Sequence, residues 1–92
     1  MKTYFVYIIS NKNNTVYYTW VTNNLERRIF EHKNKLIEWF TYKYNIYKLL
    51  FYNEFENINE AIEYEKKIKK WSRSKKLTLI KSININMEEI VI

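Results

Sequence analysis

One acidic side chain, Glu65, is predicted to lie in the middle of an apolar helix face. The helix is predicted to run from Glu60 to about Trp71, and its apolar stripe consists of Ala61, Ile62, Ile68 and Trp71. Glu65 follows Ala61 by four residues and precedes Ile68 by three, so it shares their face. An ionised carboxylate among apolar neighbours is costly unless it is paired or binds a metal. Two interpretations are therefore open: a structural ion pair, with Arg28 as a candidate partner, or a ligand of a hard cation such as Mg²⁺.

Arg28 and His32 are predicted to share one face of an earlier helix. Asn24 is a suitable cap for a helix over Leu25 to Lys33, and the spacing of Arg28 and His32 puts them in line with apolar residues. An arginine at a buried edge suits a phosphate, because its fork donates two parallel hydrogen bonds. Arg27 points to another face and is expected to be solvated. His32 is the chain's single histidine, and it is either a phosphate or water contact or a helix-end packing residue.

Two tyrosines are predicted to lie together on a β-hairpin. Thr3 to Ile9 and Val16 to Thr22 are rich in aromatic and β-branched residues, and a polar turn separates them. A turn centred between residues 12 and 13 would place Tyr7 opposite Tyr18. Paired phenols can transfer protons or donate hydrogen bonds near a phosphate. With nine tyrosines in 92 residues, sheet packing is the other interpretation.

The charge balance favours a polyanionic partner. Sixteen Lys and Arg residues against ten acidic ones give a formal net charge of +6. Neutralising phosphates releases their counterions, so such an excess is typical of nucleic-acid-binding proteins. The basic run from Lys66 to Lys76, which includes Lys69, Lys70 and Arg73, is either a grip on a phosphate backbone or a solubilising helix face.

Composition limits the class of protein. Ninety-two residues, 47% of them apolar, predict one domain with a small core. The absence of cysteine excludes disulfides and thiolate metal sites. No segment approaches the roughly 20 apolar residues of a membrane span, and no separate signal sequence precedes the first strand, so a cytoplasmic protein is expected. The chain also lacks glycine, which predicts that asparagine takes over the tight turns.

The remaining elements are predicted from pattern and caps. A short helix is expected within residues 35–44, where Ile37, Phe40 and Tyr44 have helical spacing. Ile46 to Tyr52 is predicted to be a third strand. Either Asn57 or Asn59 is expected to cap the helix that contains Glu65. A last helix is predicted from Ser74 to about Ser82.

These segments together resemble the GIY-YIG domain, and most closely its small stand-alone bacterial group. The resemblance spans nearly the whole chain in order and spacing, over residues 6–9, 16–28, 31–34, 40–41, 43–45, 60–62, 65–66 and 68–71. It implies an α+β fold with a three-stranded antiparallel sheet flanked by helices. It also implies a single domain over residues 1–92, with a core at about 2–83.

The resemblance implies metal-dependent hydrolysis of DNA phosphodiester bonds, as in DNA repair. The implied catalytic residues are Tyr7, Tyr18, Arg28, His32 and Glu65, with Glu65 as the ligand of one Mg²⁺ or Mn²⁺ ion. The implied nucleic-acid contacts are Lys33, Lys69, Lys70, Arg73 and Asn84. DNA is the expected partner, with no membrane, no small-molecule cofactor and an assumed monomer.

Trp20 and Trp39 are departures from the family pattern. Trp20 stands at the glycine of the YIG element, and Trp39 stands at a second glycine. Thr15 and Lys35 also occupy positions where glycine is typical. The alternative function is therefore a catalytically weak or inactive nucleic-acid-binding module of the same fold, whose site Trp20 narrows. A third interpretation is an interaction domain whose basic surface only solubilises it.

Overall fold

The three strands form one antiparallel sheet, and the first strand of the chain lies at its centre. The computed structural model describes residues 2–37 and 39–92. Strand β1 is Tyr4–Ser10, β2 is Tyr17–Thr22 and β3 is Lys48–Phe55, in the order β2-β1-β3. Val6 to Ser10 is buried because β1 has a neighbour on each side and helices on both faces. The predicted α+β fold with a three-stranded antiparallel sheet is confirmed.

Four helices surround the sheet in the described part of the chain, and side-chain caps set where three of them begin. Their bounds are Leu25–Lys33 (α1), Trp39–Lys43 (α2), Ile58–Lys69 (α3) and Arg73–Lys81 (α4). Asn24 accepts a hydrogen bond from the Arg27 backbone, as predicted for α1. Asn57, and not Asn59, caps α3, and Ser72 caps α4. No helix within the described ranges is long and apolar enough to cross a bilayer.

The predicted and observed bounds differ most at α2, α3 and β3, and the bounds of the other elements agree to within one residue. Helix α3 begins at Ile58, two residues before the predicted start, because Asn57 caps it. The third strand begins two residues later than predicted and continues to Phe55, since its end pairs with Tyr4. Helix α2 fills five residues of the predicted 35–44 segment, and Glu38 of that segment lies outside the described residues.

Alternation along β1 separates two apolar clusters on opposite faces of the sheet. Val6 and Ile8 pack on one face with Ala61 and Ile68 of α3. Tyr7 and Ile9 pack on the other face, in a cluster that also contains Leu25 and Ile29 of α1. The face that carries Tyr7 is therefore the face covered by α1.

The hairpin register differs from the predicted one by two residues. Tyr7 pairs with Trp20 and Ile9 pairs with Tyr18, so the prediction that Tyr7 faces Tyr18 is wrong. The Asn11 side chain accepts hydrogen bonds from the backbone N–H groups of residues 15 and 16, and Asn14 has a φ of 56°. These contacts centre the turn one residue later than predicted. A shift of two residues leaves both tyrosines on the same face of the sheet.

Within residues 2–37 and 39–92, four residues adopt left-handed backbone conformations. They are Asn14, Lys35, Asn45 and Met87, with φ between 52° and 57°. Two of the four are asparagine, so the prediction that asparagine takes over tight turns is confirmed at Asn14 and Asn45. Lys35 shows that a position expected to carry glycine does require positive φ. A lysine there stores local strain.

Replacing Lys35 by glycine is expected to raise the free energy of unfolding by about 0.5–1 kcal/mol, because glycine adopts positive φ without steric cost. Urea denaturation measures the change. Lys12→Gly is the matched control: Lys12 is an exposed turn lysine that is not among the positive-φ residues, so glycine there should not stabilise. A Lys35→Gly protein no more stable than the parent would contradict the strain at this position.

Candidate active site

A hydrogen bond between a strand and a helix forms the centre of the candidate site. Tyr7 projects from β1 towards α1, and its hydroxyl lies 2.9 Å from Nε2 of His32. Both residues are buried: Tyr7 has no exposed surface, and His32 is 3% exposed. The Tyr18 ring packs edge-on against His32 with 5.9 Å between centroids. The structure thus brings Tyr7, Tyr18 and His32 together, although the two tyrosines are not cross-strand partners.

Thr41 orients the imidazole from the other side. Its Oγ1 lies 3.2 Å from His32 Nδ1 and donates a hydrogen bond of 3.3 Å to the carbonyl of Ile37. Because the single hydroxyl proton is used in that bond, Thr41 accepts from His32, and Nδ1 carries the ring proton. His32 Nε2 is then the acceptor for the Tyr7 hydroxyl.

Thr41 is a site residue that we did not single out from the sequence. It is only 2% exposed, although most of α2 is exposed. Its position four residues after Ile37 is the one sequence signal, because that spacing lets a threonine hydroxyl bond back to the preceding turn. The partner on α1 is nine residues away in sequence, and no local pattern indicates it.

The environment of His32 keeps its imidazole neutral. Burial, and to a smaller extent the nearby Arg28 charge, together lower the pKa of His32 to about 4. At neutral pH the ring is therefore uncharged, and its unprotonated Nε2 accepts the hydrogen bond of the Tyr7 hydroxyl. A neutral imidazole in hydrogen-bond contact with a phenol can accept the phenol's proton.

This shift predicts acid sensitivity of the fold. Between the unfolded pKa of 6.5 and the folded pKa of about 4, the unfolded chain binds the extra proton, so stability falls as pH decreases through this range. The expected loss from His32 is about 3 kcal/mol, obtained from the size of the pKa difference. Urea unfolding of the parent and of His32→Gln at several pH values measures it. Equal pH slopes for the two proteins would contradict the shift.

Arg28 lies beside this hydrogen-bonded group with part of its guanidinium unused. Its side chain is 30% exposed, and its Nε is buried without a hydrogen-bond partner in the described part of the chain. The Glu31 carboxylate is 3.9 Å from Nε, which is too long for a hydrogen bond. Arg27, one residue earlier, is exposed as predicted. The exposed part of the Arg28 side chain is therefore able to donate to an anion close to His32.

Glu65 is buried on α3 and is only partly satisfied. Its Oε1 lies 3.1 Å from the Lys69 ammonium, and its Oε2 is buried without a hydrogen-bond partner. The ion pair considered with Arg28 is wrong, because Lys69, one helical turn away, is the partner.

The orphaned oxygen of Glu65 fits a cation ligand. A buried carboxylate oxygen without a donor is costly, and a bound cation would remove that cost. Residues 2–37 and 39–92 contain no group of three His or acidic side chains that could hold a metal. A divalent ion at Glu65 would therefore take its other ligands from water and phosphate, as Mg²⁺ commonly does.

Trp20 connects the two halves of the site. Its ring stacks on Tyr18, with 6.0 Å between centroids and an interplanar angle of 21°. The Lys69 ammonium lies 3.8 Å from the centroid of the Trp20 ring, on the side chain that also pairs with Glu65. Contacts therefore run without a break from the Tyr7–His32 pair to Glu65. Lys69, which the helical pattern assigned to a solvated face, lies inside this arrangement.

Most of the chain, including the residues of this site, matches a known protein family. Residues 3–78 match the model of the GIY-YIG catalytic domain. This protein belongs to the GIY-YIG catalytic domain family. Members of the family are generally endonucleases, so the GIY-YIG domain indicates a nuclease-type function and implies a nucleic-acid substrate.

Proteins similar to this GIY-YIG domain protein occur in several bacteria. The UPF0213 protein of Clostridium perfringens is 42% identical over 84 residues, which cover 91% of this chain and 89% of that protein. The UPF0213 protein of Staphylococcus saprophyticus is 32% identical and covers 87% of this chain and 96% of its own length. The solution NMR structure of a UPF0213 protein from Bacillus halodurans has a TM-score of 0.59 and 28% identity, covering 94% and 90% of the two chains. The predicted resemblance to small stand-alone bacterial members is confirmed.

Two of the basic residues predicted to bind nucleic acid have partners within the GIY-YIG domain. The Lys33 ammonium lies 2.6 Å from the Glu89 carboxylate. The Arg73 guanidinium donates to the Thr15 carbonyl and lies over the Tyr17 ring. The Lys33 contact therefore joins the end of α1 to the C-terminal segment, and the Arg73 contacts join the start of α4 to the hairpin. Their contact with nucleic acid stays a prediction.

The other three residues predicted to bind nucleic acid differ in the contacts that they make within the protein. The Asn84 amide donates to the carbonyls of Leu50 and Glu88 and accepts from the Glu88 backbone, so it ties the C-terminal segment to β3. Lys70 is exposed at the end of α3. Lys69 is directed towards Trp20 and Glu65. For each of these residues, too, binding of nucleic acid stays a prediction.

Proposed function

We propose that the protein is a metal-dependent DNA endonuclease that hydrolyses phosphodiester bonds. The observation that carries the proposal is the 2.9 Å hydrogen bond between the Tyr7 hydroxyl and Nε2 of a neutral His32. The neutral imidazole accepts the phenolic hydrogen bond, so the pair holds the Tyr7 oxygen in place for a proton relay. The proposal includes action on cellular DNA in the cytoplasm, in a repair-type reaction.

The proton path begins at Tyr7. As a water molecule attacks the phosphorus, the Tyr7 oxygen accepts the water's proton while the phenolic proton moves to His32 Nε2. Thr41 holds the Nδ1–H of the same ring, so the imidazole keeps the tautomer that this step requires. Tyr18 packs against His32 and confines the ring to this orientation.

Arg28 and Glu65 act on the charge that develops at the phosphate. The unused donor face of Arg28 would stabilise negative charge on the phosphoryl oxygens. Glu65 would hold the divalent ion through its unsatisfied oxygen. When bound there, Mg²⁺ or Mn²⁺ supplies electrostatic stabilisation of the leaving oxygen.

The contacts of Trp20 favour a second candidate function. The Trp20 ring stacks on Tyr18 and lies beneath the Lys69 ammonium, between the tyrosines and Glu65. A large side chain in this place narrows the space available to a DNA strand. The second candidate is therefore a nucleic-acid-binding module that keeps the fold and does not cleave.

A nicking assay on supercoiled, linear, branched and single-stranded DNA tests the proposal. Cleavage is expected with Mg²⁺ or Mn²⁺, and it is expected to stop when EDTA removes the ion. Binding measured in parallel is expected to weaken steeply with salt, since phosphate contacts release counterions. Cleavage that persists in EDTA would overturn the metal dependence. Salt-sensitive binding without cleavage on any DNA form would favour the module, and binding that ignores salt would contradict both functions.

A further inference from the structure

Lys69 places a cation on Glu65, the residue that the proposed function assigns to the divalent ion. Its ammonium is 3.1 Å from Glu65 Oε1, and the carboxylate is 8% exposed while the Lys69 side chain is 38% exposed. The lysine therefore reaches inward from the surface to meet a buried acid. One helical turn separates the two residues, so the contact requires no distant rearrangement.

Trp20 fixes the ammonium of Lys69 from a second direction. The 3.8 Å distance from Nζ to the ring centroid is well within the range of a cation–π contact. Trp20 is in turn held by its stacking on Tyr18. A surface lysine usually moves freely and contributes little to stability, but this one is held by a carboxylate and an aromatic face together.

The Lys69 ammonium satisfies only one of the two carboxylate oxygens of Glu65. Oε2 is buried and accepts no hydrogen bond. A divalent ion brings twice the charge and can contact both the carboxylate and a phosphate, whereas the ammonium reaches only Oε1. An ion bound at Oε2 would lie within a few ångströms of the ammonium on Oε1, and like charges at that distance repel strongly.

We propose that Lys69 is a built-in counter-ion of Glu65, that Trp20 holds it in place, and that a divalent ion must displace it to bind. This inference rests on the proposed function, because it takes Glu65 as the ligand of the divalent ion. Lys69 and Trp20 are then positioning residues that set the affinity for the ion. Glu65 thus has a cationic partner whether or not the ion is bound, which limits the cost of its burial without metal.

Isothermal titration with Mn²⁺ in the absence of DNA tests this inference on the full chain. Lys69→Met removes the competing charge and keeps the length of the side chain, and it is expected to bind Mn²⁺ about tenfold more tightly than the parent. Lys81→Met is the matched control, because it removes the same charge from an exposed helix position outside the candidate site and is expected to leave the affinity unchanged. Equal or weaker binding by Lys69→Met would overturn the inference.

Two further measurements keep the test decisive. Lys69→Met without metal is expected to melt at a lower temperature than the parent and to gain more from added Mn²⁺, since its buried carboxylate then lacks a cation. Trp20→Leu leaves the Lys69–Glu65 pair but removes the aromatic hold, so a gain in Mn²⁺ affinity of a few-fold is expected. If Lys69→Met does not fold without metal, the Trp20→Leu titration decides, and unchanged affinity there overturns the inference.

Glu65→Gln separates the failure of this inference from the failure of the proposed function. Loss of Mn²⁺ binding in Glu65→Gln supports the metal assignment. If binding survives this substitution, the ion lies elsewhere, and both the metal role in the proposed function and the inference fail. If Glu65→Gln loses binding while Lys69→Met gains none, only the counter-ion role of Lys69 fails.

Discussion

Tyr7→Phe is expected to lower the rate of DNA cleavage by about 10²–10⁴-fold, the range typical of a lost general base. The substitution removes the one oxygen that links the attacking water to His32 Nε2 and leaves the ring in the sheet. Single-turnover nicking with saturating protein measures the chemical step. The loss is expected in the rate and not in DNA affinity, because a buried phenol contributes little binding surface.

Tyr52→Phe is the matched control for Tyr7→Phe. Tyr52 is the β3 partner of Tyr7 in the sheet register, and it packs against the same apolar cluster. Its ring lies edge-on to Phe5, so its contribution is packing. Tyr52→Phe is expected to cleave at nearly the parent rate. Equal losses in both variants would mean that the hydroxyl of Tyr7 acts through the stability of the sheet, and a Tyr7→Phe protein with full activity would remove Tyr7 from the mechanism.

Arg28→Met is expected to lower the cleavage rate by about 10²–10³-fold, the usual effect of removing one preorganised donor from a developing oxyanion. Arg27→Met is the control, since it removes the same charge from the same helix at an exposed position. The difference between the two variants isolates the placement of Arg28 from the general attraction of DNA to a basic surface. Equal losses of cleavage rate in the two variants would mean that Arg28 acts only through its general positive charge and not through its position.

Arg28→Met carries a second readout that does not depend on cleavage. The Arg28 charge contributes to the lowered pKa of His32, after burial, which is the larger cause. Removing this charge is therefore expected to raise the pKa of His32 towards its ordinary value, while Arg27→Met has a smaller effect. NMR titration of the single histidine measures both. An unchanged pKa in Arg28→Met would show that the guanidinium does not face the imidazole.

The sequence alone determined the local elements and the single most informative residue. Helix α1 begins and ends where its apolar spacing and the Asn24 cap predicted, because both signals lie within a few neighbouring residues. Glu65 was identifiable as buried, since a charge within an apolar stripe is visible in the helical period. The resemblance to the GIY-YIG domain then placed Tyr7, Arg28 and Glu65 in one predicted site.

Only the tertiary structure decided how these side chains contact one another. The hairpin register depended on a turn whose centre Asn11 and Asn14 place one residue later, and apolar alternation is the same for either register. The bond between Thr41 and His32 joins two helices, and the contact of Lys69 with Trp20 joins a helix to an edge strand. Glu65 was visible in the sequence because burial follows local periodicity. Its partner Lys69 was not, because side-chain direction depends on what the rest of the fold places nearby.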